Sequence, residues 1–593
     1  MVKEKNTYSR RSKYYSEASV IKTNKTEETQ TKNIDNLEES PKKEKNFFVF
    51  ILLLLISLLV SLSFNSFPIF NEFYSGLKES INNYSGFAMN NGQMPYRNFY
   101  SNDGPIFFLI NELGNKFGNT WILWGIETLN LIFVSNLIYK IGRRHNISTF
   151  GATFISILSI IGVAVAINGG NLAAGFAIYP ILLSIDFIDK IFNNQVDKDS
   201  KFIIFGSLQA ISVFITPAML LVNILFFVFF FIKFLKEKPV NKQKIYSFIY
   251  RILSYIFGFL IIFYLTIYYG LINQFLVPAA EQMFILPFQS IRFDSSSILN
   301  LVASLILLLL IFGKQLVYLA KELKSSEKGN LFYKFIILAS LLYFILTVLS
   351  PMYVIGDLVI LLPLFLIPIL NSHNQEGEKS SVLLGVKSSF LPLLGILVIL
   401  AYDVYTQVEK RPIFEEESRV ASFIHKNTNI KDRVLVLSDD YNIYVNSKRL
   451  ATLPIPLNSY PEIYKKHFTE TLPKTESKFI IENKNYDGVG KKSVNTELDS
   501  SYALNKKFKS NDFEIYERIG SDDSLIDDKN SKKNKGSSKE KTESSSSSSE
   551  NINGTSDQEI QSTEDAVPDQ QYNNPGPNQQ YNNVDPNQQY YGQ

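Results

Sequence analysis

The sequence predicts a polytopic α-helical membrane protein with a small α/β or α+β domain near its C-terminus and disordered termini. Three observations predict this. Hydrophobic residues make up only 46% of the 593 residues, but they are segregated. Residues 47–402 are dominated by Leu, Ile, Phe and Val, whereas residues 1–46 and 403–593 are polar and charged. The apolar region is also built from repeated runs of about 20 residues, the length that crosses a hydrocarbon core. Finally, Lys and Arg concentrate in every second loop between those runs, as they do in multi-pass proteins. The first two features exclude a soluble fold.

In chain order, residues 1–46 form a charged, Ser/Thr-rich arm with too few apolar residues to build a core, and they are expected to be disordered. Apolar segments follow at 47–67, 121–141, 150–166, 173–192, 202–215, 218–234, 252–269, 299–319, 332–349, 355–370 and 383–402, about eleven spans in all. The first is an uncleaved helix and not a signal peptide, because a long polar arm precedes it. Pro217 interrupts a stretch too long for one helix, so two short segments meet there. Counting from a cytoplasmic N-terminus, the basic loops are inside. They hold Lys42, Lys43 and Lys45, then Lys140, Arg143 and Arg144, and then the segments 190–201, 233–251, 314–334 and 371–387. The intervening loops 71–118, 168–172 and 271–297 are poor in positive charge and lie outside. An odd number of spans places everything after Asp403 outside as well.

Residues 411–520 change character. Val434-Leu435-Val436-Leu437, Ile443-Tyr444-Val445, residues 478–482 and residues 513–517 are strand-type runs, and residues 415–426 have a helical pattern. Their length is enough for a core of their own. From residue 521 onward a Ser-rich stretch and a repeat of Pro-Asp/Asn-Gln-Gln-Tyr, starting at Pro568, Pro577 and Pro586, leave no apolar periodicity. That tail is expected to be disordered and to act as a spacer.

Cofactor chemistry is narrowly bounded. The chain has no Cys and four scattered His, which excludes disulfides and makes no metal site. Gly-rich nucleotide fingerprints are absent, and so is any sign of nucleic-acid binding. Interest therefore falls on the long outside loop 71–118. An amphipathic stretch (residues 73–87) leads into Gly92-Gln93-Met94-Pro95-Tyr96-Arg97-Asn98, then Asp103-Gly104-Pro105 and an apolar helix. Gly-Pro ahead of an apolar run marks a turn and a helix start.

This loop resembles the first periplasmic loop of bacterial GT-C glycosyltransferases, the superfamily of the protein O-mannosyltransferases and the aminoarabinose transferase. Gly169-Gly170-Asn171 with the following Pro180 is similar to a turn in those enzymes. Arg433–Val436, Ile443-Tyr444, Ser447-Lys448-Arg449, Ile480-Ile481 and Ile515-Tyr516 resemble their C-terminal domain. The resemblance covers residues 47–520 and implies transfer of a sugar from a polyprenyl-phosphate carrier, the co-substrate, to a cell-wall glycan or glycoprotein on the outer face. It implies Asp103 or Glu79 as the general base. Donor and phosphate contacts would come from Arg97, Tyr96, Asn98, Asn171 and Arg292, with Glu127 and Asp357 lining the same cavity. Several positions depart from the family. Asn98 stands where Asp is usual, Ala173-Ala174-Gly175 where an acid is common, and Thr216 where a base often precedes proline. The nearest acids after the first span are Glu72 and Glu79. These departures motivate the alternative of a catalytically inactive GT-C-like scaffold in a cell-surface glycosylation complex. A transporter, a third reading, predicts internal repeats and polar residues along the spans, which the sequence lacks. The absence of Cys with abundant Lys, Asn and Ile fits the plasma membrane of a Gram-positive bacterium.

Overall fold

The computed structural model describes residues 40–69, 74–196, 198–238, 241–291, 293–325, 331–366, 381–474 and 476–519. The expected disordered arm up to Glu39, the tail from residue 520, Glu72 and Arg292 lie outside the described residues. A first helix α1 (Ser40–Ser61) leads into the loop helices α2 (Leu77–Asn90) and α3 (Pro105–Gly114). Then come α4 (Trp121–Arg144), α5 (Thr149–Ala166), α6 (Ala173–Phe192), α7 (Lys201–Ile215), α8 (Met219–Lys236) and α9 (Lys242–Ile272). Two short helices, α10 (Leu276–Phe284) and α11 (Leu286–Gln289), connect to α12 (Ser295–Ser325) and α13 (Leu331–Val348). A 3-10 turn at Ile355–Ile360 precedes the long helix α14 (Ser381–Asn427).

The fold is that of a multi-pass α-helical membrane protein with a small sheet-containing domain near its C-terminus, as expected. Among the described residues, 7 helices are long and apolar enough to cross a membrane, and shorter apolar helices lie at Phe47–Ser61, Lys201–Ile215 and Ile355–Leu366, where further spans were expected. Physical reasons are visible. Helix α1 ends at Ser61 and gives way to turns, and α7 has only 15 residues before the chain breaks at Thr216-Pro217. Helix α6 keeps its expected bounds but carries Asp186, Asp189 and Lys190 in its last turns. Part of that charge is neutralised, because Arg144 of α4 and Lys190 of α6 itself are both bonded to Asp186.

Lipid-facing and protein-facing sides separate cleanly on α9. Tyr264, Leu265 and Tyr268 are exposed, and Ser254, Tyr255, Gly258 and Thr266 are buried. The buried side crosses α7 at very short range. A Cβ on Gly258 would lie 1.9 Å from the Ile203 carbonyl oxygen, and one on Gly206 would lie 2.0 Å from that of Tyr255. Between them the Ser207 hydroxyl donates to the Gly258 carbonyl at 2.9 Å. Small residues here permit backbone-to-backbone packing, the usual source of helix association where no hydrophobic drive exists.

Helix α14 continues without interruption from the bundle into the C-terminal domain, where the sequence suggested a span and a separate helix. Pro392 and Pro412 both sit inside it. The domain's elements are β1 (Arg433–Leu437), α15 (Asn442–Ser447), β2 (Leu450–Ala451), α16 (Glu462–Thr471), β3 (Phe479–Asn483), α17 (Lys491–Ser501), β4 (Tyr502–Leu504) and β5 (Phe513–Arg518). One five-stranded sheet has the order β2-β1-β3-β5-β4, parallel on the β2-β1-β3 side and antiparallel on the other. Residues 443–445, expected to be a strand, are instead the helix α15. The Asp440 carboxylate caps the Asn442 amide at 3.0 Å, and the helical turn buries Tyr441, Ile443 and Tyr444 together against α2. Arg449 ties the domain to the end of α14, because its guanidinium donates to the carbonyls of His425 and Thr428 at 2.9 and 2.6 Å.

Candidate active site

The site is assembled on α2, an amphipathic helix whose buried face includes Lys78, Ile81, Asn82, Tyr84 and Ser85. Its Tyr84 packs against Tyr441 and Tyr444 of the C-terminal domain, and Lys78 turns toward the helical bundle. There the ammonium meets two carboxylates. Nζ lies 2.8 and 3.0 Å from the two oxygens of Asp357 and 3.3 Å from Oδ1 of Asp103. All three side chains are at least nine-tenths buried.

Asp103 is held by its surroundings. It sits just ahead of Gly104-Pro105, where Pro105 opens α3. The Gly104 amide donates to the Ile215 carbonyl at the end of α7, at 3.0 Å. The Tyr96 hydroxyl donates to the Asp103 carbonyl at 2.5 Å, and the Asp103 amide donates to Ser101 Oγ at 3.1 Å. Asp357 is fixed from the opposite side. Its carbonyl accepts from the Tyr343 hydroxyl at 2.8 Å, and its carboxylate accepts from the Val354 amide at 3.3 Å.

Two acids share one cation in a buried place. Burial pushes Asp103 up to about 6, against the pull of Lys78 and with the help of Asp357. For Lys78, burial acts downward, but Asp103 and Asp357 outweigh it and hold the ammonium above its ordinary value. Asp103 Oδ2 is buried and takes no hydrogen bond of normal geometry from the described residues. A carboxylate in that state is a proton acceptor poised near neutral pH.

A second layer begins at Glu127, buried on α4. Its carboxylate accepts from the Ser66 hydroxyl and from the Asn171 amide, the latter at 2.5 Å. Asn168, Gly169, Gly170 and Asn171 all have positive φ, so the turn needs Gly and Asn to form. The Asn171 carbonyl accepts from the Asn82 amide at 3.0 Å and so links Glu127 to the helix that carries Lys78. A small cleft beside this layer is lined by Phe64, Glu127, Asn130, Val163, Asn171 and Phe176.

The other sequence candidates are not gathered here. Tyr96 is buried with φ 66°, and its hydroxyl is spent on the loop itself. Asn98 Oδ1 accepts from the Met94 amide at 2.8 Å and closes the Pro95-Tyr96-Arg97 turn, so this amide is a turn clamp. Arg97 is exposed and reaches Gln274 at 3.4 Å, away from the buried acids. Glu79 is partly exposed and folds back over Gly76. Sequence reasoning missed Lys78 and Asn82. Their one signal was position, since both fall on the apolar face of an amphipathic stretch where Lys and Asn have no reason to be without partners.

Residues 38–383 match the family of the competence-induced protein Ccs4 N-terminal domain. The chain belongs to this family. Residues 414–518 match the companion Ccs4 C-terminal domain family. Among curated proteins, none matches the sequence. Among solved structures, the chain is similar to ArnT from Cupriavidus metallidurans bound to undecaprenyl phosphate, with a TM-score of 0.50 at 10% identity over 79% of this chain and 98% of that one. It is also similar to arabinofuranosyltransferase AftD from Mycobacteria, with a TM-score of 0.42 at 13% identity over 79% of this chain and 41% of that one. The oligosaccharyltransferase of Archaeoglobus fulgidus gives 0.41 at 10% identity over 81% and 74%. The Ccs4-family chain therefore has a divergent GT-C-like membrane fold.

Proposed function

We propose that this protein transfers a sugar from a polyprenyl-phosphate carrier to a cell-wall glycan or glycoprotein on the outer face of a Gram-positive plasma membrane, with Asp103 as the general base. The observation that carries the reading is the Asp103 carboxylate, fixed at a loop-to-helix corner by Lys78, with one buried oxygen that takes no hydrogen bond of normal geometry from the described residues. ArnT, whose fold this chain shares along nearly its whole length, has been seen with undecaprenyl phosphate bound, which supports the same carrier class here.

In the proposed step, an acceptor hydroxyl gives its proton to Asp103 as its oxygen bonds to the anomeric carbon. The bond from that carbon to the phosphate oxygen breaks, and the polyprenyl phosphate leaves with the electron pair. Lys78 is already engaged by two carboxylates and acts by holding Asp103 in place.

A second reading, an inactive GT-C-like scaffold, is favoured by Asn98, whose amide closes a turn at the position where the resemblance led to an acid. One experiment separates the two. Protein reconstituted in liposomes is given labelled polyprenyl-phosphate sugars and wall extract, and wild type is compared with Asp103→Asn. The transferase reading expects transfer by wild type and a loss of about 10²–10⁴-fold in the variant. If wild type transfers nothing while a deletion strain has altered surface glycans, the scaffold reading stands.

A further inference from the structure

The connector between α9 and α12 is apolar on its outward face. Over residues 275–289, which include α10 and α11, the buried positions Phe275, Ala279, Gln282, Met283 and Leu286 fall on one helical face. A surface helix in water carries polar groups on the opposite face. Here that face carries Val277, Ile285 and Phe288, which are 67, 50 and 52% exposed. No Lys or Arg lies between Asn273 and Ile291, so the two helices carry nothing for an anionic partner. Lipid-facing helix ends flank them. Leu271 and Ile272 close α9 exposed, and Leu299 is exposed near the start of α12, both helices being long and apolar enough to span.

The inward face grips the first loop. Gln282 is buried, and its side-chain amide bridges the turn ahead of Asp103. Nε2 donates to the Tyr96 carbonyl at 2.7 Å, and Oε1 accepts from the Ser101 amide at 3.2 Å. The same two residues hold the Asp103 backbone, Tyr96 through its hydroxyl on the Asp103 carbonyl and Ser101 through Oγ on the Asp103 amide. Beside this clamp the Phe275 ring packs on Tyr96, with centroids 5.8 Å apart. Tyr96 has φ 66°, a conformation that a bulky residue keeps only where its surroundings enforce it.

We propose that α10 and α11 form a lipid-seated anchor: their outward face lies in the bilayer leaflet on the side of the first loop, and Gln282 passes that seating to the turn that presents Asp103. Lipid is the occupant because the exposed apolar side chains lie between the ends of two spans, where a helix is held by burying such a face at the headgroup and acyl boundary. The seating and the clamp stand on geometry alone, whereas their effect on transfer rests on Asp103 as the general base. Gln282 touches no reacting atom in that scheme and is a positioning residue.

With no Cys in the chain, single nitroxide labels can be placed at Val277→Cys, Phe288→Cys and Arg97→Cys. In phosphatidylcholine nanodiscs, labels at 277 and 288 should be relaxed far more by molecular oxygen than by a water-soluble nickel chelate. A label at exposed Asn91 should show the reverse. Stronger relaxation by nickel at 277 and 288 overturns the seating, because that face is then in water. Relaxation by neither overturns it too, because protein then covers the face. The label at residue 97 reads the clamp. Its spectrum should gain a sharp, mobile component in Gln282→Leu, and also in the double variant Ile285→Ser with Phe288→Ser, whose side chains lie on the outward face. Gln282→Met, which likewise lacks both hydrogen bonds, takes the place of the first variant if that one does not fold. An unchanged spectrum in the Gln282 variant removes the clamp, and in the double variant it removes the link to lipid. In unlabelled protein, Gln282→Leu should lower kcat by up to about 10²-fold, the scale of an ångström misplacement, with the acid limb at about pH 6 unmoved. Full kcat in that variant disconnects Gln282 from Asp103. Absence of transfer by wild type counts against the proposed function alone, since the label measurements need none.

Discussion

At the scale of residues, the central relation is one ammonium between two buried acids. Replacing Lys78 by Ala leaves Asp103 and Asp357 buried without a counter-charge, a change that costs about 3–5 kcal/mol when a buried pair is broken from one side. A Lys78→Ala variant should therefore melt well below wild type, and adding Asp357→Asn should recover part of the loss. No recovery would mean that the contact between Lys78 and Asp357 does not carry the loss. The pH profile of transfer gives a separate check on Asp103. Its carboxyl is raised to about 6, so the base is protonated and idle below that value and active above it. The rate should fall with unit slope on the acid side of about pH 6, and an acid limb near the ordinary carboxylate range would remove Asp103 from the role. None of this was fully legible in the sequence. Asp103 and Asp357 stood out as acids near apolar runs, but Lys78 did not, because its partner Asp357 is 279 residues away. Charge pairs at that separation leave no local pattern.

Elements were legible where one physical rule dominated. The bounds of α6 follow from a single apolar run between the Gly-Gly-Asn turn and a polar loop, so hydropathy alone finds them. The rule fails where two tendencies compete. Aromatic and β-branched residues at 443–445 suggest a strand, yet a capped helical turn buries them better against α2. Helix α14 hides its continuity because Pro412 and the charges around it read as a linker. The crossing of α7 and α9 is the most testable packing feature. Any side chain at residue 258 drives into the Ile203 carbonyl, so Gly258→Leu should cost about 3 kcal/mol or more, the upper range for overpacking. Ser207→Ala at the same crossing should cost only about 0.6 kcal/mol, the mean for interhelical hydrogen bonds in membranes. Thermal unfolding of the two variants in detergent measures this ratio, and equal losses would show that the helices are not in backbone contact.

For the whole molecule, sidedness decides whether the proposed chemistry has access to its substrates. The structure joins the first loop to the C-terminal domain directly, since the Ala451 amide donates to the Tyr84 hydroxyl at 2.8 Å and the Gln93 side chain donates to the Ala451 carbonyl at 2.7 Å. Those two regions must share one side of the membrane. Helix α6 starts beside Asn171, which bonds to α2, and ends at Phe192, so the following loop belongs to the opposite end of the bundle. That opposite end carries the cationic residues Arg143, Arg144, Lys190, Lys233 and Arg251 in its loops and helix ends, and the bias of such residues toward the inside predicts that it faces the cytoplasm. The Cys-free chain makes a direct test possible. Single cysteines at the exposed residues Asn91, Lys466 and Gln195 should divide two to one when intact cells are treated with a membrane-impermeant maleimide. Asn91→Cys and Lys466→Cys should label without permeabilisation, and Gln195→Cys only after it. If only Gln195→Cys labels on intact cells, Asp103 faces the cytoplasm, where the proposed wall or glycoprotein acceptor is absent, and the transferase reading loses its outer substrate. Labelling of Asn91→Cys without Lys466→Cys would instead contradict the seam itself, because two regions bonded through Ala451 cannot lie on opposite sides of a bilayer.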